Sequence, residues 1–350
     1  MPTTSSFGKI AFLGSGETSL AGGRIFERLA AELPPPLRIA VLETPAGFEL
    51  NSAQVAGRVA DFLRKRLQNY RPTVDVIPAR KRGTPFSPDD PDILRPLLRA
   101  NLIFMGPGSP TYAVRQLRGS LAWEMLRARH RLGAALVFSS AAAIAVGAHV
   151  LPVYEIYKVG EDVHVKPGLD FFADFGLALS MVSHWNNAEG GIDLDTSRCF
   201  VGRERFEAWL SLLPPERVVL GLDEHTGLIL DPQSGKCTVH GVSSVTLLLP
   251  DETRIFPAGE QFPVTLLGDF RLPDPLHAGL RAEVWERVRS APDPESAEAR
   301  PPAEVLALVE ERERARAARD WPRADALRER IADLGWQVQD TPEGPRLTKR

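Results

Sequence analysis

Ser140 stands where a hydrophobic segment, AALVF at residues 134–138, gives way to three alanines at residues 141–143. A buried strand that turns sharply into a helix crowds its own backbone, so small flanking residues are typical of a nucleophile elbow. In that geometry the hydroxyl of Ser140 is a candidate nucleophile. The amide of Ala141, at the helix N-terminus, is a candidate oxyanion donor. The alternative is that the serine only caps the helix, which serine often does.

Such a serine needs a general base and an acid that orients the base. His184 follows a strand-like segment and is our candidate base, although most lone histidines have a structural role. Glu155 is the candidate acid, while Glu189, Asp223 and Glu224 stay open as alternatives. Asp223 and Glu224 equally fit a simple turn-capping role.

Loops at the ends of other strands supply candidate substrate-binding groups. Gly108 follows Gly106-Pro107, and its amide is a second candidate oxyanion donor, unless this is an ordinary strand-to-helix turn. Glu17 lies in a glycine-rich loop that lacks both the lysine of a phosphate loop and a full dinucleotide fingerprint. The remaining candidates are Asn186, Asn187, Asp223 and Glu224.

The segments between these residues alternate between strand and helix patterns. Predicted strands cover residues 10–13, 37–42, 74–78, 102–105 and 134–138, and predicted helices cover 24–33, 52–70, 93–100 and 111–118. This alternation predicts an α/β fold whose parallel sheet is covered on both faces, with function at the carboxyl ends of the strands. Later strand patterns at 218–222, 228–230, 238–242 and 245–249 predict an antiparallel extension of that sheet.

Composition excludes several other classes of protein. The chain has 350 residues, 43% of them hydrophobic, and a formal net charge of -3, so it has no overall positive charge for binding a polyanion. Cys199 and Cys237 have neither metal-site nor disulfide-framework spacing. The sequence shows no signal-peptide pattern and no apolar run long enough to span a membrane. We therefore expect a cytoplasmic protein without a metal, a cofactor or a membrane contact.

The sequence predicts two domains joined by a linker. Residues 1–270 contain the predicted sheet and all candidate site residues. Residues 271–302 are rich in Pro, Asp, Glu and Ala, which is typical of a linker, with one short helix over 280–290. Residues 303–350 form the second domain, in which charged helices at 303–319 and 321–334 are predicted to make a helical hairpin.

The order of the motifs resembles the dipeptidase E and cyanophycinase family of serine peptidases. The resemblance covers about residues 8–268. It is carried by Glu17 in its glycine-rich loop, Gly106-Pro107-Gly108, Ser140-Ala141-Ala142-Ala143, His184 and Asp223-Glu224-His225-Thr226.

This resemblance implies the class I glutamine amidotransferase-like fold, a flavodoxin-like three-layer sandwich. It also implies that Ser140 is the nucleophile and His184 the base, with Glu155 at the position of the acidic residue. The amides of Gly108 and Ala141 would form the oxyanion hole. The implied substrate is a small peptide or another amide.

The chain departs from the family pattern at the elbow. Phe138 and Ala142 stand where family members usually have glycines. Asn186 and Asn187 follow His184 where the cyanophycin-degrading members of the family carry an arginine-rich stretch. These departures support an alternative function, a non-catalytic protein that binds a ligand in the same cleft. The oligomeric state also stays open, with a homodimer among the alternatives.

Residues 306–350 resemble the C-terminal extension of bacterial cysteinyl-tRNA synthetases. The matching segments are Arg323-Ala324-Asp325-Ala326-Leu327-Arg328, Leu334-Gly335 and Asp340-Thr341-Pro342-Glu343-Gly344. Synthetase activity is excluded, because the chain has neither a paired-cysteine zinc site nor that enzyme's nucleotide-binding signature. A translation-associated adaptor that contacts tRNA is the third hypothesis. The charges of the tail are mixed in sign, which favours a helical hairpin that packs on the main domain or on a neighbouring molecule over one that contacts tRNA.

Overall fold

A central sheet covered by helices on both faces organises the fold. The computed structural model describes residues 7–273, 279–291, 301–342 and 344–349. The strands are β1 Ile10–Leu13, β2 Arg38–Leu42, β3 Thr73–Ile77, β4 Leu102–Met105, β5 Ala135–Ser139, β6 His149–Val150, β7 Lys166–Pro167, β8 Leu179–Val182, β9 Val218–Leu222, β10 Thr226–Asp231, β11 Lys236–Gly241, β12 Ser244–Leu248, β13 Thr253–Pro257, β14 Gln261–Pro263, β15 Trp336–Thr341 and β16 Gly344–Lys349. The helices are α1 Leu20–Glu32, α2 Ser52–Arg66, α3 Pro110–Leu117, α4 Leu121–Arg131, α5 Ala141–Ala145, α6 Arg203–Ser211, α7 Ala282–Arg289, α8 Ala303–Ala317 and α9 Trp321–Asp333.

The main sheet has the strand order β14-β11-β10-β1-β5-β4-β2-β3. Its strands β1, β5, β4, β2 and β3 are parallel, and β10, β11 and β14 extend it in antiparallel fashion. Alternate side chains of one strand enter separate cores on the two faces: Ile10 and Phe12 on one, Ala11 and Leu13 on the other. The predicted flavodoxin-like α/β sandwich is confirmed.

A second, four-stranded sheet with the order β13-β12-β9-β8 lies beside the first. The prediction that residues 218–222 and 245–249 extend the main sheet is therefore wrong. Those segments pair with each other as β9 and β12, and β9 also pairs in parallel with β8. Because β8 and β9 are parallel neighbours, the residues that follow them in the chain emerge side by side.

Two helical segments differ from the sequence prediction. Residues 93–100 form only a short 3-10 turn, Arg95–Leu98, in which Pro96 is accommodated at the start. Helix α4 was not predicted. It begins after Ser120, whose side chain accepts a hydrogen bond from the amide of Trp123, and it buries Trp123, Met125 and Leu126.

The segment 271–302, predicted as a linker, contains α7, close to the helix predicted over 280–290. Val284 and Trp285 of α7 are buried in the core beneath the main sheet. Arg281, which precedes α7, pairs with Glu124 of α4 at 2.9 Å. Residues 274–278 and 292–300 of this segment lie outside the described residues.

The C-terminal elements have their own small hydrophobic core. Helices α8 and α9 pack together as the predicted hairpin, and their side chains Leu308 and Ile331 contact Trp336 and Val338 of β15. The β15-β16 hairpin was not predicted. Within the described ranges no helix is both long and apolar enough to cross a membrane.

Candidate active site

Ser140 occupies a strained turn between β5 and α5. Its backbone angles are φ 51° and ψ -118°, a region that residues other than glycine rarely adopt. The amide of Ser140 donates to the carbonyl of Leu13 at 3.0 Å, which ties the turn to β1. Although Ser140 is at the N-cap of α5, its side chain makes no capping bond. Its hydroxyl is directed elsewhere.

Phe138 fits beneath the elbow without disturbing the turn. Its ring is fully buried and lies 5.9 Å from the ring of Phe12 and 6.1 Å from that of Phe171, measured between centroids. The side chain therefore points into the core. The large residue at the usual glycine position is accommodated by this aromatic cluster.

The hydroxyl oxygen of Ser140 lies 2.9 Å from Nε2 of His184. On the other side of the imidazole, Nδ1 lies 2.8 Å from Oε1 of Glu224. A carboxylate can only accept here, so Nδ1 carries the proton and Nε2 is left to accept from the serine hydroxyl. His184 follows β8 and Glu224 follows β9, so the parallel pairing of these strands brings the two side chains together.

Two asparagines hold Glu224 in place. Nδ2 of Asn187 donates to Oε1 of Glu224 at 3.0 Å, and the backbone amide of Glu224 donates to Oδ1 of Asn186 at 2.8 Å. Burial tends to raise the pKa of Glu224, but the hydrogen bonds from Asn187 and His184 outweigh it and hold that pKa below its usual value. The carboxylate is therefore charged at neutral pH.

The sequence predicted Glu155 as the acid beside His184, but the structure does not place it there. Its Oε1 lies 3.4 Å from Nζ of Lys166, and the residue begins a helical turn, Glu155–Val159, that follows β6. Glu224, left open as an alternative, takes the position beside the histidine. Glu155 was proposed because of its position after the serine in the chain. The parallel pairing of β8 with β9 instead places Glu224 beside His184.

The other candidates have different surroundings. Asn187 binds the carboxylate of Glu224 and Asn186 binds its backbone amide, so both asparagines position Glu224 here. Asp223 is buried and accepts from the hydroxyls of Ser243 and Ser244 at 2.7 and 2.8 Å, which joins β9 to β12. Glu189 is exposed.

Glu17 reaches the elbow through the residue before the candidate nucleophile. The hydroxyl of Ser139 donates to Oε2 of Glu17 at 2.9 Å. Since Ser139 is fully buried and Glu17 is partly exposed, the carboxylate lies at the rim of the site beside the elbow.

Within the described part of the chain, the amides of Gly108 and Ala141 donate no hydrogen bond to a backbone or side-chain acceptor, which leaves both able to bind a ligand. Gly108 has φ 144°, and a Cβ there would lie 2.0 Å from the carbonyl oxygen of Pro45, so only glycine fits. The α5 side of the site is tied to this loop by a bond from the Ala142 amide to the Gly106 carbonyl at 3.3 Å.

Comparison with known proteins separates the chain into two parts. Residues 298–345 match the family described as "Cysteinyl-tRNA ligase anticodon binding domain". Over 48 residues, 14% of this chain and 10% of the relative, the sequence is 58% identical to a Cysteine-tRNA ligase of Methanosarcina mazei. The chain thus spans about a tenth of the length of the curated relatives that it matches.

Solved structures resemble the larger part. A peptidase from an acI-B1 Actinobacterium is similar with a TM-score of 0.60 at 20% identity, over 75% of this chain and 98% of that one. A putative peptidase E protein from Listeria monocytogenes aligns with 73% of this chain and all of its own at 12% identity, with a TM-score of only 0.43. The first likeness confirms the fold expected for residues 8–268, and the family match confirms the resemblance of the tail.

Proposed function

We propose that this protein is a serine hydrolase that cleaves small peptides or related amides. The observation that carries the proposal is the chain of contacts from the Ser140 hydroxyl through His184 to Glu224. A hydroxyl on a strained elbow, a base within hydrogen-bond reach and a charged acceptor behind the base are the parts of nucleophilic acyl transfer. The fold likeness to an actinobacterial peptidase supports the same reaction class.

Each residue then has a defined role. Nε2 of His184 takes the proton as Ser140 attacks the carbonyl carbon, and the charge of Glu224 stabilises the resulting imidazolium. The amides of Gly108 and Ala141 donate to the oxyanion. His184 returns its proton to the leaving amine, and water, activated by the same histidine, then releases the acyl group.

A hydrolysis screen tests the proposal. Wild-type protein is assayed against dipeptides and aminoacyl p-nitroanilides, with Ser140→Ala as the inactive variant and Ser211→Ala, at an exposed serine of α6, as the control. We expect Ser140→Ala to lower the rate at least about 10³-fold, and Ser211→Ala to leave it unchanged. Hydrolysis that persists in Ser140→Ala contradicts the proposal.

The family match of the tail supports a second candidate function. We propose that residues 303–350 form a separate domain that contacts tRNA, as the name of the matching anticodon-binding family suggests for its members. Mobility-shift titrations of the full chain and of a chain ending near residue 300 compare the two forms. Binding that is lost on truncation and falls steeply with salt supports the contact. Equal binding by both forms rules it out.

A further inference from the structure

A cavity of about 600 Å³ lies along α3 and starts at Ser109, the residue after the candidate oxyanion donor Gly108. Three aromatic rings form one wall. The ring of Phe48 lies 5.1 Å from that of Tyr112 and 6.3 Å from that of Tyr154. We call this space the α3 cavity. Its volume suits a small-molecule ligand, and its aromatic wall suits a flat one.

The charged side chains that line the α3 cavity are mostly cationic: Arg82, Arg115, Arg118 and Lys166 against the single carboxylate of Glu155. Arg118 donates to the carbonyls of Pro167 and Gly168, which fixes its guanidinium at the wall. Arg115 is exposed and lies over the ring of Tyr112, with 5.1 Å from its guanidinium carbon to the ring centroid. Arg82 also pairs with Asp89 at 3.2 Å, and Lys166 pairs with Glu155. The remaining cations, Arg115 and Arg118, favour an anion.

Glu155 holds one of these cations at the wall. Its Oε1 lies 3.4 Å from Nζ of Lys166, while its Oε2 is buried out of reach of a ligand in the cavity. The wall therefore combines an aromatic face with an anion site.

We propose that the α3 cavity binds a part of the substrate that carries a flat ring and an anionic group. The ring stacks in the Phe48, Tyr112 and Tyr154 wall, and the anion pairs with Arg115. This inference rests on the proposed hydrolase function for its link to Ser140. Two amide substrates share this chemistry: a nucleotide that carries an amino acid through an amide bond, and a peptide that ends in an aromatic residue with a free carboxylate.

Calorimetric titration of full-length Ser140→Ala protein tests the cavity without turnover. The probes are adenosine monophosphate with adenosine as its uncharged partner, and glycyl-tryptophan with its C-terminal amide. The proposal predicts saturable binding of at least one anionic probe and at least tenfold weaker binding of its uncharged partner. Binding of adenosine monophosphate indicates a nucleotide substrate, and binding of glycyl-tryptophan indicates a peptide substrate.

Variants of the wall locate the bound probe. Arg115→Gln and Phe48→Ala, both at exposed positions, are each expected to weaken binding about tenfold, while Arg58→Gln on the outer side of α2 leaves it unchanged. The proposal is overturned if neither anionic probe binds, or if the Arg115→Gln variant binds the probe as tightly as the protein with Arg115.

The two proposals fail in different ways. A fluorophosphonate needs only the reactive serine, so labelling of Ser140 without probe binding removes the cavity assignment and keeps the hydrolase. Probe binding without labelling keeps the cavity as a ligand site and removes the hydrolase.

Discussion

His184 and Asn187 donate to the same oxygen of Glu224, over 2.8 and 3.0 Å. The shared acceptor links the candidate base to a buried amide, so the imidazole and the carboxylate are fixed together. His184 itself has φ 48°, a strained conformation that this arrangement and its contact with Ser140 help to explain.

Glu224→Gln is expected to slow acylation of Ser140 by about 10²- to 10⁴-fold. Glutamine presents no charge to the imidazolium, and its amide nitrogen favours the wrong tautomer of His184. The rate of fluorophosphonate labelling, followed by intact mass, measures the effect. Glu189→Gln, at the exposed acid among the alternatives, serves as the matched control and should label at the wild-type rate. A normal rate in Glu224→Gln would show that the carboxylate has no part in activating the serine.

Asn187→Ala is expected to slow labelling of Ser140 by up to about tenfold at neutral pH. The bond from Asn187 favours the charged carboxylate and holds it beside His184, so its loss raises the pKa of Glu224 and weakens the support of the base. Asn186→Ala, which removes only an acceptor for the Glu224 backbone amide, provides the comparison. A wild-type rate in Asn187→Ala would show that this bond has no part in activating the serine.

Phe138→Leu is expected to lower stability by about 1 kcal/mol and to leave the labelling rate of Ser140 unchanged. The ring contributes core contacts with Phe12 and Phe171 but does not touch the reacting groups. Thermal unfolding and labelling of the same sample separate the two effects. A large loss of labelling at full stability would show that the residue shapes the elbow.

Ser140 and His184 could be proposed as site residues from the sequence because each comes one serine after an apolar strand pattern, and strand ends in parallel sheets meet at one edge. Glu224 follows β9 in the same way, and that position was the available signal for it. The choice between Glu224 and Glu155 required the parallel pairing of β8 with β9, a long-range contact that local patterns do not contain.

The parallel core of the main sheet was predictable from the sequence, whereas the second sheet was not. Alternating strand and helix patterns indicate parallel pairing. Strands β9 and β12 have only the apolar pattern of any buried strand, and no local feature indicates which sheet they join. The α3 cavity combines residues from segments far apart in the chain. Its wall could therefore not be inferred before the fold was known.

His130 is expected to make the protein less stable as pH falls from about 6.5 to 4. Burial lowers the pKa of His130 to about 4, although the Gly8 carbonyl that it bonds at 2.7 Å opposes that shift. Over this range the unfolded chain takes up a proton that the folded chain does not, so up to about 3 kcal/mol is lost, and none is lost above the unfolded pKa.

Denaturant unfolding between pH 4 and 7.5 measures this loss. His130→Gln should show a shallower decline than wild type, while His164→Gln, at a partly exposed histidine, should follow the wild-type curve. Parallel curves for wild type and His130→Gln would remove His130 as the cause.

The most direct test of the serine hydrolase assignment is intact-mass labelling with a fluorophosphonate, comparing wild type with Ser140→Ala and His184→Ala. We expect a single adduct on wild-type protein, located at Ser140, that is absent from both variants. No adduct on wild-type protein, or an adduct that persists in Ser140→Ala, would contradict it.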